Sequence, residues 1–130
     1  MTTMNDLRTP LAKAKGLGSA KEGISHWWRQ RMTALLLLPL TLWFGFAIAS
    51  LPQASHASLT AWISSPMVTA ALVLLILTVF YHAQLGLQVI IEDYVSTHWR
   101  RTTAIIMVGF LCLLLAVIGV IAVLRIALGG

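Results

Sequence analysis

The chain has 130 residues, 58% of them hydrophobic and only 10% charged, with a formal net charge of +5 and a mean hydropathy of +0.87. So much apolar surface cannot be enclosed by a soluble domain of this size, which excludes a water-soluble globular fold. Nor does the positive charge indicate nucleic acid, because Arg8, Lys13, Lys15, Lys21, Arg29 and Arg31 all precede the first long apolar run and read as topology signals.

In chain order, residues 1–24 read as a cytosolic N-terminal arm. It is mixed, contains glycine and lacks a sustained apolar period, so it is loosely ordered unless a partner orders it. Its acidic Asp6 and Glu22 are unlike a mitochondrial import sequence, which favours a bacterial inner membrane over a mitochondrial one.

Residues 25–130 form the membrane domain. Three uncharged runs, Met32 to Leu51, Pro66 to Ile91 and Thr102 to Leu124, are long enough at ~1.5 Å per residue to cross a ~30 Å hydrocarbon core. The expected architecture is all-α, with three transmembrane helices over about 28–51, 66–93 and 101–127. A barrel would need alternating polar and apolar residues, which Leu35-Leu36-Leu37-Leu38 does not show. The first span, with Ala47-Ile48-Ala49 near its end, has features of a cleaved signal peptide, but its long basic lead and full-length apolar run fit an uncleaved anchor.

The connection from Gln53 to Ser65 has no Lys or Arg, whereas Arg100 and Arg101 lie between the second and third spans. The positive-inside rule therefore puts the N-terminus in the cytoplasm and the C-terminus in the periplasm, with Arg125 the one dissenting charge. Trp27, Trp28 and Trp99 mark the inner boundary and Trp62 the outer one, leaving Trp43 within a span. Ser64-Ser65-Pro66 reads as a helix start with proline in the first turn. In the third span Cys112 is alone, without a Cys or His spacing for a metal, and reads as a small buried hydrophobe.

The chemistry concentrates on the second span, where His82 sits in an otherwise apolar stretch that runs into Glu92-Asp93-Tyr94. An ionisable ring at mid-depth in a bilayer marks a functional site until something simpler explains it. Counting 100° per residue, Gly86, Val89 and Asp93 all fall within about 40° of His82, on one face. A neutral imidazole is a standard axial ligand of haem iron. Gly86, one turn away, leaves room for a flat macrocycle. Arg31, the last charge before the first span, suits a haem propionate. Asp93 and Tyr94 lie ~16 to 18 Å further toward the boundary. There a phenol can donate to a quinone carbonyl, and a carboxylate can orient a cation or pass protons.

Each residue also has a plainer reading. His82 could simply hydrogen-bond across helices, Arg31 could be topogenic, Tyr94 a belt aromatic, and Asp93 a solvated charge. His26, His56 and His98 read as ordinary polar residues at boundaries or in loops. Because the other spans offer few partners for His82, Gln84 and Gln88, a second membrane subunit is the simplest supplier.

The stretch Tyr81-His82-Ala83-Gln84-Leu85-Gly86-Leu87-Gln88-Val89-Ile90-Ile91-Glu92-Asp93-Tyr94-Val95 resembles the H-x3-G-x6-D-Y-V signature of the D-type cytochrome b membrane anchor subunit of succinate dehydrogenase, or complex II. Arg31-Met32-Thr33-Ala34 is similar to the same family's R-x-T-A. The resemblance implies that His82 is an axial ligand of haem b, that Arg31 contacts a propionate, and that Tyr94 hydrogen-bonds ubiquinone with Asp93 in support. It also implies a C-type cytochrome b anchor subunit supplying the second haem ligand, an iron-sulfur subunit, and a flavoprotein subunit reached through the complex. The segment before Arg31 departs from the family pattern in carrying Arg29 and two tryptophans, which leaves Arg29 and Arg31 as alternatives for the propionate.

On this reading the chain is not catalytic alone. It anchors succinate:quinone oxidoreductase and couples succinate oxidation, a step of the tricarboxylic acid cycle, to the respiratory chain. The competing expectations are a fumarate reductase membrane anchor, or a haem-free scaffold or transporter subunit with a relay histidine.

Overall fold

The computed structural model describes residues 9–14, 21–51 and 55–129. Among the described residues the chain is all-helical: α1 (Pro10–Ala14), α2 (Lys21–Ala49), α3 (His56–Ile63), α4 (Pro66–Tyr94) and α5 (His98–Ala127). Three of these, from Gly23 in α2 and throughout α4 and α5, are long and apolar enough to cross a membrane. This is the three-helix architecture expected from the hydropathy of the chain. Most of the arm, including Asp6, lies outside the described residues, and α1 is little more than a single turn within it.

Helix α5 begins at His98, three residues before the expected 101, and two further differences from the sequence expectation have a local cause. First, α2 begins at Lys21 rather than near 28. Apolar character stops at Arg31, but one face of the helix continues toward its N-terminus through Gln30 and His26, about 60° and 20° from Thr33, and that face lies along α4. Second, part of the outer connection is helical. Ser55 caps α3 by accepting from the Ser58 backbone N–H at 3.2 Å. Its Trp62 stacks on Trp43 of α2 with ring centroids 5.9 Å apart, which gives the one mid-span tryptophan its partner.

Pro66 occupies the first turn of α4, as the Ser64-Ser65-Pro66 sequence predicts. The Thr69 hydroxyl donates back to Ile63 O at 2.6 Å and so ties α4 to the end of α3. At the opposite end the turn into α5 is fastened by Arg101, whose Nε donates to Val95 O at 3.0 Å. Pro39 sits inside α2, where its ring withholds one backbone donor from the helical ladder.

The central helix is α4. It packs on α2 along one side and on α5 along another, while no Cα of α2 comes within 8 Å of one of α5 among the described residues. The α4–α5 seam is built on small residues of α5: Gly109, Cys112, Ala116 and Gly119 recur at three- and four-residue spacing, and Cys112 and Ala116 are buried. Small side chains let helix backbones come close, which is the main source of packing energy where lipid supplies no hydrophobic drive. Cys112 is thus the free, buried small residue expected from its context. Leu72, Thr78 and Leu85 of α4 complete the buried set among the described residues, and most other large apolar side chains point outward.

A Cβ at Gly119 would stand 3.2 Å from Ile76 Cγ2. Gly119→Ile is therefore expected to overpack the α4–α5 seam at a cost of about 1–3 kcal/mol. Thermal denaturation of the assembled protein should show that loss, and Ile76→Ala in the same chain should recover part of it.

Candidate functional site

His82 lies on the part of α4 that meets α2, and its half-buried ring points at Thr33. His82 Nδ1 and Thr33 Oγ1 are 2.8 Å apart. The same hydroxyl lies 2.9 Å from Arg29 O and 3.0 Å from Gln30 O, the carbonyls one helical turn back on its own helix. A threonine hydroxyl has a single proton, and in helices it is commonly given to such a carbonyl. With that proton committed to the backbone, Oγ1 can only accept from the ring. The ring then carries a hydrogen on Nδ1, and its Nε2 has no hydrogen-bond partner among the described residues.

Thr33 is the functional residue that the sequence reading passed over. It stands inside the R-x-T-A segment, but a threonine in an apolar span carries no signal of its own until the register of α2 against α4 is known. That register also lets the chain itself supply part of what the polar groups of α4 need. Here His82 takes Thr33, and Gln88 Nε2 donates to Glu92 Oε1 at 2.8 Å on its own helix. Gln84 lies over Gly109, whose added Cβ would meet the amide nitrogen at 3.2 Å.

One turn from His82, Gly86 faces the Gln30 amide: a Cβ there would be 3.6 Å from Gln30 Nε2. Gln30 Oε1 and His26 Nε2 are both shielded from solvent and have no hydrogen-bond partner among the described residues. Beyond them a polar cleft of ≈320 Å³, lined by Gly23, His26, Gln88 and Glu92, opens between α2 and α4. An apolar groove of ≈480 Å³ is also lined by Thr33, together with Leu36, Tyr81, Cys112 and Ala116. His82 is not among the residues lining it.

Asp93 and Tyr94 close the same end of α4 and are exposed, Tyr94 to 85%. Neither has a hydrogen-bond partner among the described residues. Arg31 is exposed on α2 with its Cζ 5.3 Å from the Trp27 ring centroid, a cation–π arrangement. Arg29 instead donates from Nε to Ser25 O at 3.3 Å. At 100° per residue, Arg29 lies about 40° from Thr33 around α2 and Arg31 about 160°. The backbone thus carries Arg29 on the side of the histidine and Arg31 on the far side, and neither arginine hydrogen-bonds His82.

The antiparallel run of α2 against α4 therefore brings Thr33 to His82 and Gln30 to Gly86, while Arg31 faces away and Asp93 and Tyr94 stand exposed at the end of α4. A lone imidazole nitrogen stands within the apolar span, and a phenol, carboxylates and cations stand at its boundary. Among the described residues no three of His, Cys, Asp and Glu come together as a metal cage. His82 therefore belongs to no cluster of three or more side chains of metal-ligating type among the described residues.

Comparison with known proteins gives a consistent picture. The family model described as succinate dehydrogenase/fumarate reductase transmembrane subunit matches residues 5–118. The succinate dehydrogenase hydrophobic membrane anchor subunit of Rickettsia bellii is 39% identical over 91% of this chain and 94% of its own length. The subunit of the same name from Rickettsia conorii is 35% identical over 90% of this chain and 94% of its own length. That of Paracoccus denitrificans is 31% identical over 94% of both chains. No solved structure gives a significant match.

Since the added methyl at Gly86 would meet only the Gln30 amide at ordinary contact distance, Gly86→Ala should leave the α2–α4 seam intact. Removing a helix-interior glycine should stabilise by up to about 1 kcal/mol. A thermal midpoint below that of the wild type would show that the glycine serves a closer helix approach than this structure has.

Proposed function

The chain belongs to the succinate dehydrogenase/fumarate reductase transmembrane subunit family, and from that premise we propose that it binds haem b through His82 and helps to form a ubiquinone site at Tyr94. It is a membrane anchor subunit of succinate dehydrogenase. Its three span-capable helices and its bacterial relatives make it a multi-pass protein of the bacterial inner membrane.

What supports haem ligation is the contact between His82 Nδ1 and the Thr33 hydroxyl. Metal-bound histidines ordinarily donate their second ring N–H to a fixed acceptor, which orients the ring and raises its basicity. Thr33 fills that role, and Nε2 is left as the coordinating atom. When bound, haem b supplies a one-electron centre within the anchor. Gly86 keeps side-chain bulk out of the seam one turn from His82, and Gln30, whose amide oxygen has no hydrogen-bond partner among the described residues, would stand beside the bound group. An arginine of α2 would pair a propionate. Arg31 corresponds to the family motif, and Arg29 lies on the nearer face of the helix.

At the membrane boundary, the Tyr94 hydroxyl has the exposure to donate a hydrogen bond to a quinone carbonyl. Asp93 beside it can hold a cation or relay protons from water at the surface. Succinate supplies the electrons through the flavoprotein and iron-sulfur subunits, and a C-type anchor subunit provides the second haem ligand. Among the rival readings, the relatives above are named for succinate dehydrogenase, which favours that activity over fumarate reduction.

In the assembled complex, the dithionite-reduced spectrum should lose most of its b-type signal in His82→Ala. An unchanged signal removes the ligand assignment. Tyr94→Phe should lower quinone reduction roughly three- to tenfold, the value of one neutral hydrogen bond, with succinate oxidation by soluble dyes preserved. An equal fall in both activities would point to defective assembly and away from a quinone contact.

A further inference from the structure

Resting on the reading of His82 as a haem ligand, we propose that Thr33 is a positioning residue that fixes the ring of His82 as the Nδ1–H tautomer and sets its strength as a donor to iron. The geometry has three parts that must act together. Thr33 Oγ1 stands 2.8 Å from His82 Nδ1. Its own proton is drawn to Arg29 O at 2.9 Å and Gln30 O at 3.0 Å. The partner is therefore an acceptor held by its own helix, and it cannot swing to donate without giving up a backbone bond.

The alternative tautomer is disfavoured on both sides. It would require the hydroxyl to leave the α2 carbonyls, and it would place an Nε2–H in the span without an acceptor among the described residues. An unmet donor in a low-dielectric setting is more costly than an unmet lone pair that a metal fills. The register of α2 against α4 thus selects which ring nitrogen is available. A hydrogen bond from Nδ1–H also pushes electron density toward Nε2, which strengthens the bond to the ferric ion more than to the ferrous one.

The two substitutions that separate this role from packing are Thr33→Val, which keeps the shape and removes the hydroxyl, and Thr33→Ser, which keeps the hydroxyl and removes the methyl. Each is made in the full complex, beside the wild type and His82→Ala. The readouts are the haem midpoint potential, the low-spin ferric signal in electron paramagnetic resonance, and the rate of haem loss to excess apomyoglobin. In Thr33→Val the potential should rise, the ferric signal should shift, and haem loss should quicken roughly ten- to a hundredfold, as for other partners of metal-bound histidines. Thr33→Ser should stay near the wild type in all three. Should Thr33→Val abolish haem while Thr33→Ser retains it, the hydroxyl is again the cause.

Equal behaviour of Val and Ser, whether both unchanged or both impaired, overturns the proposal, because shape and not the hydrogen bond would then govern the site. A haem signal that survives His82→Ala unaltered is a separate result. It removes the ligand reading itself and is recognisable without reference to Thr33.

Discussion

A hydrogen-bonding group carried into hydrocarbon finds no water, so its partner must come from the protein or from a ligand. In this chain the demand is concentrated on the imidazole of His82. Thr33 meets it at one nitrogen only, with a hydroxyl that is itself anchored to the carbonyls of Arg29 and Gln30. That one-sided satisfaction fixes the level at which α2 meets α4 and brings Gln30 over Gly86. It also leaves one ring nitrogen without a hydrogen-bond partner among the described residues.

The two seams of the bundle use different chemistry. Between α4 and α5 the contact is made by shape: Gly109, Cys112, Ala116 and Gly119 let Ile76 and Gln84 press close. Between α2 and α4 it is made by polar groups, from the Thr33–His82 pair through Gln30 to the cleft of His26, Gln88 and Glu92. Dispersion holds the first seam, and its strength depends on small residues staying small. The second is directional and carries the candidate chemistry. Little else is enclosed among the described residues, so most of the apolar surface is left to lipid and to the other subunits of a complex.

Much of this was legible in the sequence, for physical reasons that also mark where legibility ends. Long uncharged runs announce spanning helices because lipid accepts nothing else, and the start of α4 was readable from the position of Pro66. His82 stood out because an ionisable ring in such a run has few cheap explanations. What stayed hidden depends on register between helices. Thr33 is chemically unremarkable until α4 is placed against it, and the early start of α2 follows from a face shared by Gln30 and His26 rather than from hydropathy. Helix α3 escaped notice because a two-turn segment rich in Ser and Ala looks like a loop until Trp62 is seen stacked on Trp43. For Arg29 and Arg31 the sequence left an open choice. The turn of α2 carries Arg29 toward Thr33 and sends Arg31 to Trp27.

The way Thr33 spends its proton bears on biogenesis. A first helix released from the translocon alone already has the Thr33 hydroxyl quenched by its own backbone, so it can dwell in the bilayer without recruiting an unwanted neighbour. The helix made next arrives with an imidazole that has no such internal outlet, and the waiting acceptor offers about 1 kcal/mol for docking in the correct register. Insertion order and final register are thereby linked: the self-sufficient helix emerges first, and the needy one follows.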